Sequence, residues 1–302
     1  MSVFSGLSAF PITPTDANGR LSTADFNGLL NSLVEACSGD TALDSICLLG
    51  STGTYAYQSL DQRKHAAEAG IAAIKGRTPT IIGIGTLRTD HAQELAAHAR
   101  QAGAEGLLMA PFSYTPLTDE EAFQHYAAVA ATTDLPLCIY NNPSTTHFNF
   151  STALLQRLAD IPTIEAVKMP LPADCDFEGQ LPQLRAALPS GFLIGYSGDW
   201  QCADGLLAGA DSWFSAVAGL LPVQTLKLSQ AARSRNHAET ARLQEIFEPL
   251  WELFREYGSL RVIYAAANIM SLSDAQPPRP ILAMPENQLH RLRDALDAVN
   301  RL

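Results

Sequence analysis

The sequence predicts an α/β protein: a (β/α)8 TIM barrel with a C-terminal helical extension. Short, continuous apolar runs alternate with helical stretches along most of the chain. Eight such runs end near residues 12, 50, 85, 110, 141, 168, 197 and 217. Spacings of roughly 20–35 residues suit one strand and one helix each. Strands that are apolar on both faces belong to a parallel sheet covered by helices. Eight in succession close most simply into a barrel, with an open doubly wound sheet as the competing arrangement.

The elements follow in order. "LSAFPIT" opens the first strand. From Ser22, "STADFNGLLNSLVEA" puts Phe26, Leu29, Leu30, Leu33 and Val34 on one helical face, with Ser22 and Asp25 spaced as a capping box. "DSICLLG", "TIIGIG", "GLLMAP", "LPLCIYN", "TIEAVK", "FLIGYS" and "DSWFSAV" supply the other strands. Between them, "SLDQRKHAAEAGIAAIKG" is a helix stopped by Gly76, and "TDHAQELAAHARQAG" one stopped by Gly103. "TDEEAFQHYAAVAATT" carries a capping box at Thr118 and Glu121. "STALLQRLAD" and "WQCADGLLAG" also read as helices, and "GQLPQLRAAL" as a short one interrupted by Pro182. After Pro222 the pattern turns wholly helical, with Phe247, Leu250, Trp251 and Phe254 on one stripe. The barrel is therefore assigned to residues 1–222 and the extension, packed on it in the same domain, to 223–302.

Composition narrows the function classes. A net charge of −11 and the lack of a basic run speak against nucleic-acid binding. No apolar stretch approaches the length of a membrane span, and the N-terminus lacks a secretory pattern. The five cysteines are scattered without a CxxC, as expected of free thiols in a reducing compartment, so the cytoplasm is expected. The seven histidines form no metal-binding spacing, so no metal is expected. "GIG" at Gly83–Gly85 is not a dinucleotide fingerprint.

In a parallel barrel the chemistry collects where strands end. Lys168 ends the sixth run. If it points inward with Ile164 and Ala166, desolvation favours a neutral amine, which can condense with a ketone to a Schiff base. The plain alternative is an ammonium in solvent at the barrel mouth or paired with a carboxylate. Tyr140 ends the neighbouring fifth run, where a phenol beside a carbinolamine can shuttle protons; alternatively its hydroxyl simply meets a backbone carbonyl. "GSTGT", Gly50–Thr54, is either a plain tight turn or a nest of backbone N–H groups for a carboxylate, with Ser51 and Thr52 as extra hydroxyls.

Together, "GSTGT", "YNNPSTT" and "VK", in this order, resemble the dihydrodipicolinate synthase and N-acetylneuraminate lyase family, whose pattern is G-[ST]-T-G-E, Y-N-x-P and a strand ending in I/V-K. The likeness covers almost the whole chain: "GLLAGADSWFSAVAGLLP" is similar to the family's seventh helix and eighth strand, and "PPRPIL" to its closing Arg-Pro segment. The resemblance implies a class I lyase or aldolase acting on pyruvate or a related 2-keto acid, with an aldehyde or sugar acid as second substrate. It implies Lys168 as the imine lysine, Tyr140 as proton donor and acceptor, and Ser51 and Thr52 at the keto-acid carboxylate. It implies no cofactor, because the protonated imine is the electron sink, and a homotetramer built as a dimer of dimers.

Several positions depart from the pattern. Dihydrodipicolinate synthases carry an Arg after Y-N-x-P that clamps the aldehyde's carboxylate; here Thr145 stands there, and a hydroxyl cannot replace a bidentate clamp. The second relay tyrosine aligns with Ser113, with Tyr114 one residue on. Thr54 replaces the motif's Glu, Met169 and Pro170 follow the lysine where Glu or Gln is usual, and His147 stands where Gly is common. Asp199 aligns with a lyase position that binds sugar hydroxyls, or else is an N-cap for a helix beginning at Trp200. The keto-acid half of the site is thus expected intact and the other half rewritten. A non-catalytic keto-acid-binding or regulatory member of the same fold is the rival expectation.

Overall fold

The computed structural model describes residues 2–302. Eight parallel strands close a barrel in sequence order: β1 (Gly6–Ala9), β2 (Ser45–Leu48), β3 (Thr80–Gly83), β4 (Gly106–Met109), β5 (Leu137–Tyr140), β6 (Ile164–Met169), β7 (Leu193–Tyr196) and β8 (Ser212–Ser215). Their alternating side chains divide the interior into two cores. Cys47, Ile81, Leu108, Cys138, Ala166 and Phe214 point into the barrel and fill it together with Phe4 and Phe10. The opposite faces pack under the surrounding helices.

Those helices are α1 (Thr23–Glu35), α2 (Leu60–Ile74), α3 (Thr89–Ala102), α4 (Asp119–Ala130), α5 (Thr152–Ala159), α6 (Phe177–Ala187), α7 (Cys202–Leu207) and α8 (Pro222–Arg233). Helix α8 packs on α7 and β1 and so completes the eighth β/α unit. Three more follow: α9 (His237–Tyr257), α10 (Ser259–Ile269) and α11 (Leu289–Asn300). The stripe Phe247, Leu250, Trp251 and Phe254 is fully buried. Its centre is a parallel stack of Phe247 on Trp251, with ring centroids 4.9 Å apart.

Local signals were partly obeyed. Thr118 and Glu121 form the expected reciprocal cap of α4, and Ser59 and Gln62 do the same for α2, unforeseen from the sequence. Ser22, however, makes no side-chain cap on α1. The Asp25 carboxylate instead accepts a 2.7 Å hydrogen bond from Ser273, a tertiary partner. Helix α6 runs through Pro182 without a break; in the second turn the proline forfeits only one hydrogen bond, to the carbonyl of the exposed Glu178.

Candidate active site

β5 and β6 lie side by side with Tyr140 directly opposite Lys168. The ladder slips between Leu137 and Cys138, pairing Leu137 with Ile164 but Cys138 with Ala166. Glu165, left in the irregularity, turns outward to solvent. Beyond it Cys138, Tyr140, Ala166 and Lys168 all sit on the barrel's inner side, so the bulge sets which face the lysine occupies.

Lys168 is only 4% exposed. Its Nζ stands 3.5 Å from the ring centroid of Tyr140 and 5.2 Å from that of Phe10. Among the described residues no carboxylate pairs with it. The amine therefore neither reaches bulk water nor has a counter-ion, and two aromatic faces are its electrostatic support.

The Tyr140 hydroxyl lies 3.3 Å from Ser51 Oγ and accepts a 2.9 Å hydrogen bond from Asn142 Nδ2. Burial pushes this phenol's pKa up, but the Lys168 charge and the hydrogen bonds from Ser51 and Asn142 outweigh it, and the net shift is downward from 10. Asn142 was not assigned a role from the sequence, although it lies within the "YNNP" motif.

In the Gly50–Thr54 turn the left-handed positions are not the glycines. The left-handed residues are Leu49 at φ 58° and Thr54 at φ 56°, and non-glycine strain of this kind concentrates at ligand sites. The glycines provide room: a Cβ on Gly50 would stand 2.6 Å from the Phe10 ring, and one on Gly53 3.0 Å from the Leu49 backbone. Arg63, also unforeseen, holds the neighbouring strand end. Buried on α2, it donates 2.9 Å hydrogen bonds to the carbonyls of Gly83 and Gly85, and burial pulls its pKa down to about 10.

These groups open on a cavity of about 700 Å³ that Ser51, Thr52, Tyr140, Thr145, Lys168 and Asp199 all help to line. Ser113 and Tyr114 do not line it, and Tyr114 is 96% exposed, so within one chain neither joins Tyr140. Asp199 is not an N-cap: α7 starts at Cys202 with Gln201 before it. Its buried carboxylate accepts from Trp213 Nε1 at 2.9 Å, Ser215 Oγ at 2.7 Å and the amides of Ala216 and Val217. Burial raises its pKa against the opposing pull of these donors. His147 adopts φ 57°, which is why glycine suits that position. The turn between α9 and α10 adds Gly258, Ser259 and Leu260 to the rim, so the extension partly roofs the cavity. Among the described residues no three His, Cys, Asp or Glu converge to hold a metal ion.

A buried amine and phenol on adjoining strand ends of a parallel barrel define a class, the Schiff-base lyases. The pattern of the "Dihydrodipicolinate synthetase family" matches residues 3–299. The 4-hydroxy-tetrahydrodipicolinate synthase of Marinobacter nauticus is 32% identical over 295 residues, spanning 95% of this chain and 96% of that one. The crystal structure of a dihydrodipicolinate synthase from Agrobacterium tumefaciens is 54% identical, with a TM-score of 0.95 over 98% of each chain. The corresponding structure from Thermotoga maritima is 25% identical, with a TM-score of 0.89 over 99% of this chain and 100% of that one. The chain belongs to the dihydrodipicolinate synthetase family. Its members are pyruvate-dependent class I aldolases, and this chain is a Schiff-base lyase of that type. No helix among the described residues is long and apolar enough to cross a membrane.

Proposed function

We propose that this protein joins or separates pyruvate, or a close 2-keto acid, and an aldehyde other than the one used by true dihydrodipicolinate synthases. The observation that carries the reading is the Lys168–Tyr140–Ser51 cluster in a buried pocket. The turn at Ser51 and Thr52 receives the keto-acid carboxylate. As the phenolate, Tyr140 takes a proton from the adjacent ammonium, and the freed amine attacks the keto carbon. Tyr140 returns the proton to the carbinolamine oxygen, water leaves, and a protonated imine remains. Loss of a C3 proton to the same phenolate gives the enamine, the nucleophile for the second substrate. Ser51 and Asn142 hold the phenol oxygen in line for both transfers.

Thr145 supports the departure from dihydrodipicolinate synthase chemistry. It lines the cavity, and its hydroxyl donates to the Asn142 carbonyl at 3.3 Å. Nothing there imitates a guanidinium. Assembly as a homotetramer is part of the proposal, as is a cytoplasmic location.

Deuterium wash-in at the pyruvate methyl, followed by proton NMR without any aldehyde, tests this reading. Exchange well above background is expected, abolished in Lys168→Ala and slowed about 10²–10⁴-fold in Tyr140→Phe. Pyruvate that binds but never exchanges would favour the non-catalytic alternative.

A further inference from the structure

We infer that the second substrate is an uncharged aldehyde bearing an apolar group of aryl or branched-alkyl size. The inference rests on the Schiff-base reading and concerns the apolar part of the cavity wall. That part is formed by Phe112, Pro170, Leu171, Trp200, Leu260 and Ile281. They come from the loops after β4, β6 and β7, from α10 and from the loop that follows it, so several separate segments deliver the same apolar character. Two of these loops are clamped together: Leu171 presses on Gly198, where an added Cβ would meet Leu171 Cγ at 2.7 Å, and Gly198 adopts φ +110°. Only glycine accepts both the approach and that backbone.

Charge points the same way. Lys168 is the sole cation among the described residues lining the cavity, and Asp199 the sole acid. The lysine is consumed by the imine, and the Asp199 oxygens already receive four donors. A carboxylate or phosphate on the second substrate would meet no second cation among these lining residues, which disfavours it. A sugar chain also fits poorly. The Ser144 hydroxyl donates to Asn142 Oδ1 at 2.8 Å, that of Thr145 to the Asn142 carbonyl and that of Ser197 to the Met169 carbonyl at 3.3 Å. These three hydroxyls are engaged within the protein, whereas an apolar group finds a matching wall.

The reaction balances without an oxidant or reductant. The enamine C3, having lost one proton, forms a carbon–carbon bond to the aldehyde carbon. The aldehyde oxygen gains a proton from Tyr140. The water released on imine formation is returned on hydrolysis, freeing Lys168 and a 4-hydroxy-2-keto acid.

The test uses the wild-type protein with pyruvate and four probes: benzaldehyde, 3-methylbutanal, succinic semialdehyde and glyceraldehyde. The kcat/KM for the first two is expected to exceed that for the last two on the order of 100-fold. In Leu171→Arg, which puts a cation in the apolar wall, the ratio of benzaldehyde to succinic semialdehyde is expected to fall at least about tenfold. Pyruvate exchange on the same preparation reports whether the variant is folded, and the wild-type panel decides even if it is not. Exchange with a preference for the charged or hydroxylated aldehydes, or with none of the four consumed, overturns this inference alone. Absence of exchange overturns the Schiff-base reading and this inference with it.

Discussion

Tyr140 is pulled in two directions. Its burial disfavours the phenolate, while the Lys168 charge, the Ser51 hydroxyl and the Asn142 amide favour it, and the second group prevails. The other buried phenols, Tyr55, Tyr126, Tyr196 and Tyr264, move the opposite way because burial meets no comparable charge. The sign of the linkage follows. A depressed acid pKa contributes stability that is complete above its unfolded value and is lost as pH falls through the folded one. An ultraviolet difference titration of the folded protein should therefore show Tyr140 ionising below 10, ahead of the other buried phenols, and Tyr140→Phe should delete that step. Eight tyrosines with no early ionisation would remove the electrostatic basis of the proton shuttle. Asp199 lines the cavity and is at the same time held by the frame. Its carboxylate ties the β7 loop to β8 and the turn beyond, through Trp213, Ser215 and two backbone amides.

At the level of elements, α9 has two tasks. Its inner stripe packs it against α8, α10 and α11, and at its C-terminal end Phe254 and the following Gly258 reach the cavity. Trp251 is completely buried against Phe247 and Phe254. Replacing it with alanine should cost about 3–5 kcal/mol in urea unfolding; a loss under about 1 kcal/mol would mean that the extension is not integral to the barrel's stability. The elements also show what was legible in the sequence. Strand positions, the Thr118–Glu121 cap and the α9 stripe were readable because their signals are local. So was the meeting of Tyr140 with Lys168, since consecutive parallel strands are neighbours. Unreadable were interactions whose partner lies far along the chain, such as Asp25 with Ser273 or Arg63 with the end of β3. The direction of Tyr114 was unreadable for another reason: loop geometry, not strand alternation, decides it.

The molecule as a whole keeps one amine out of water. The barrel interior below it is filled by Phe4, Ile81, Leu108 and their neighbours, the Phe10 and Tyr140 rings face it, and the C-terminal helices narrow the approach from above. Lys64 and Lys227, by contrast, are engaged at the periphery by Glu94 and the Leu302 carbonyl. The barrel thus gives a single lysine the setting for covalent chemistry with a ketone. The most direct measurement is borohydride reduction in the presence of pyruvate, followed by intact-mass and peptide mapping. One stable adduct per chain is expected, located on Lys168 and absent from Lys168→Ala. An unmodified chain after reduction, or an adduct on Lys64, Lys75 or Lys227 instead, would contradict it.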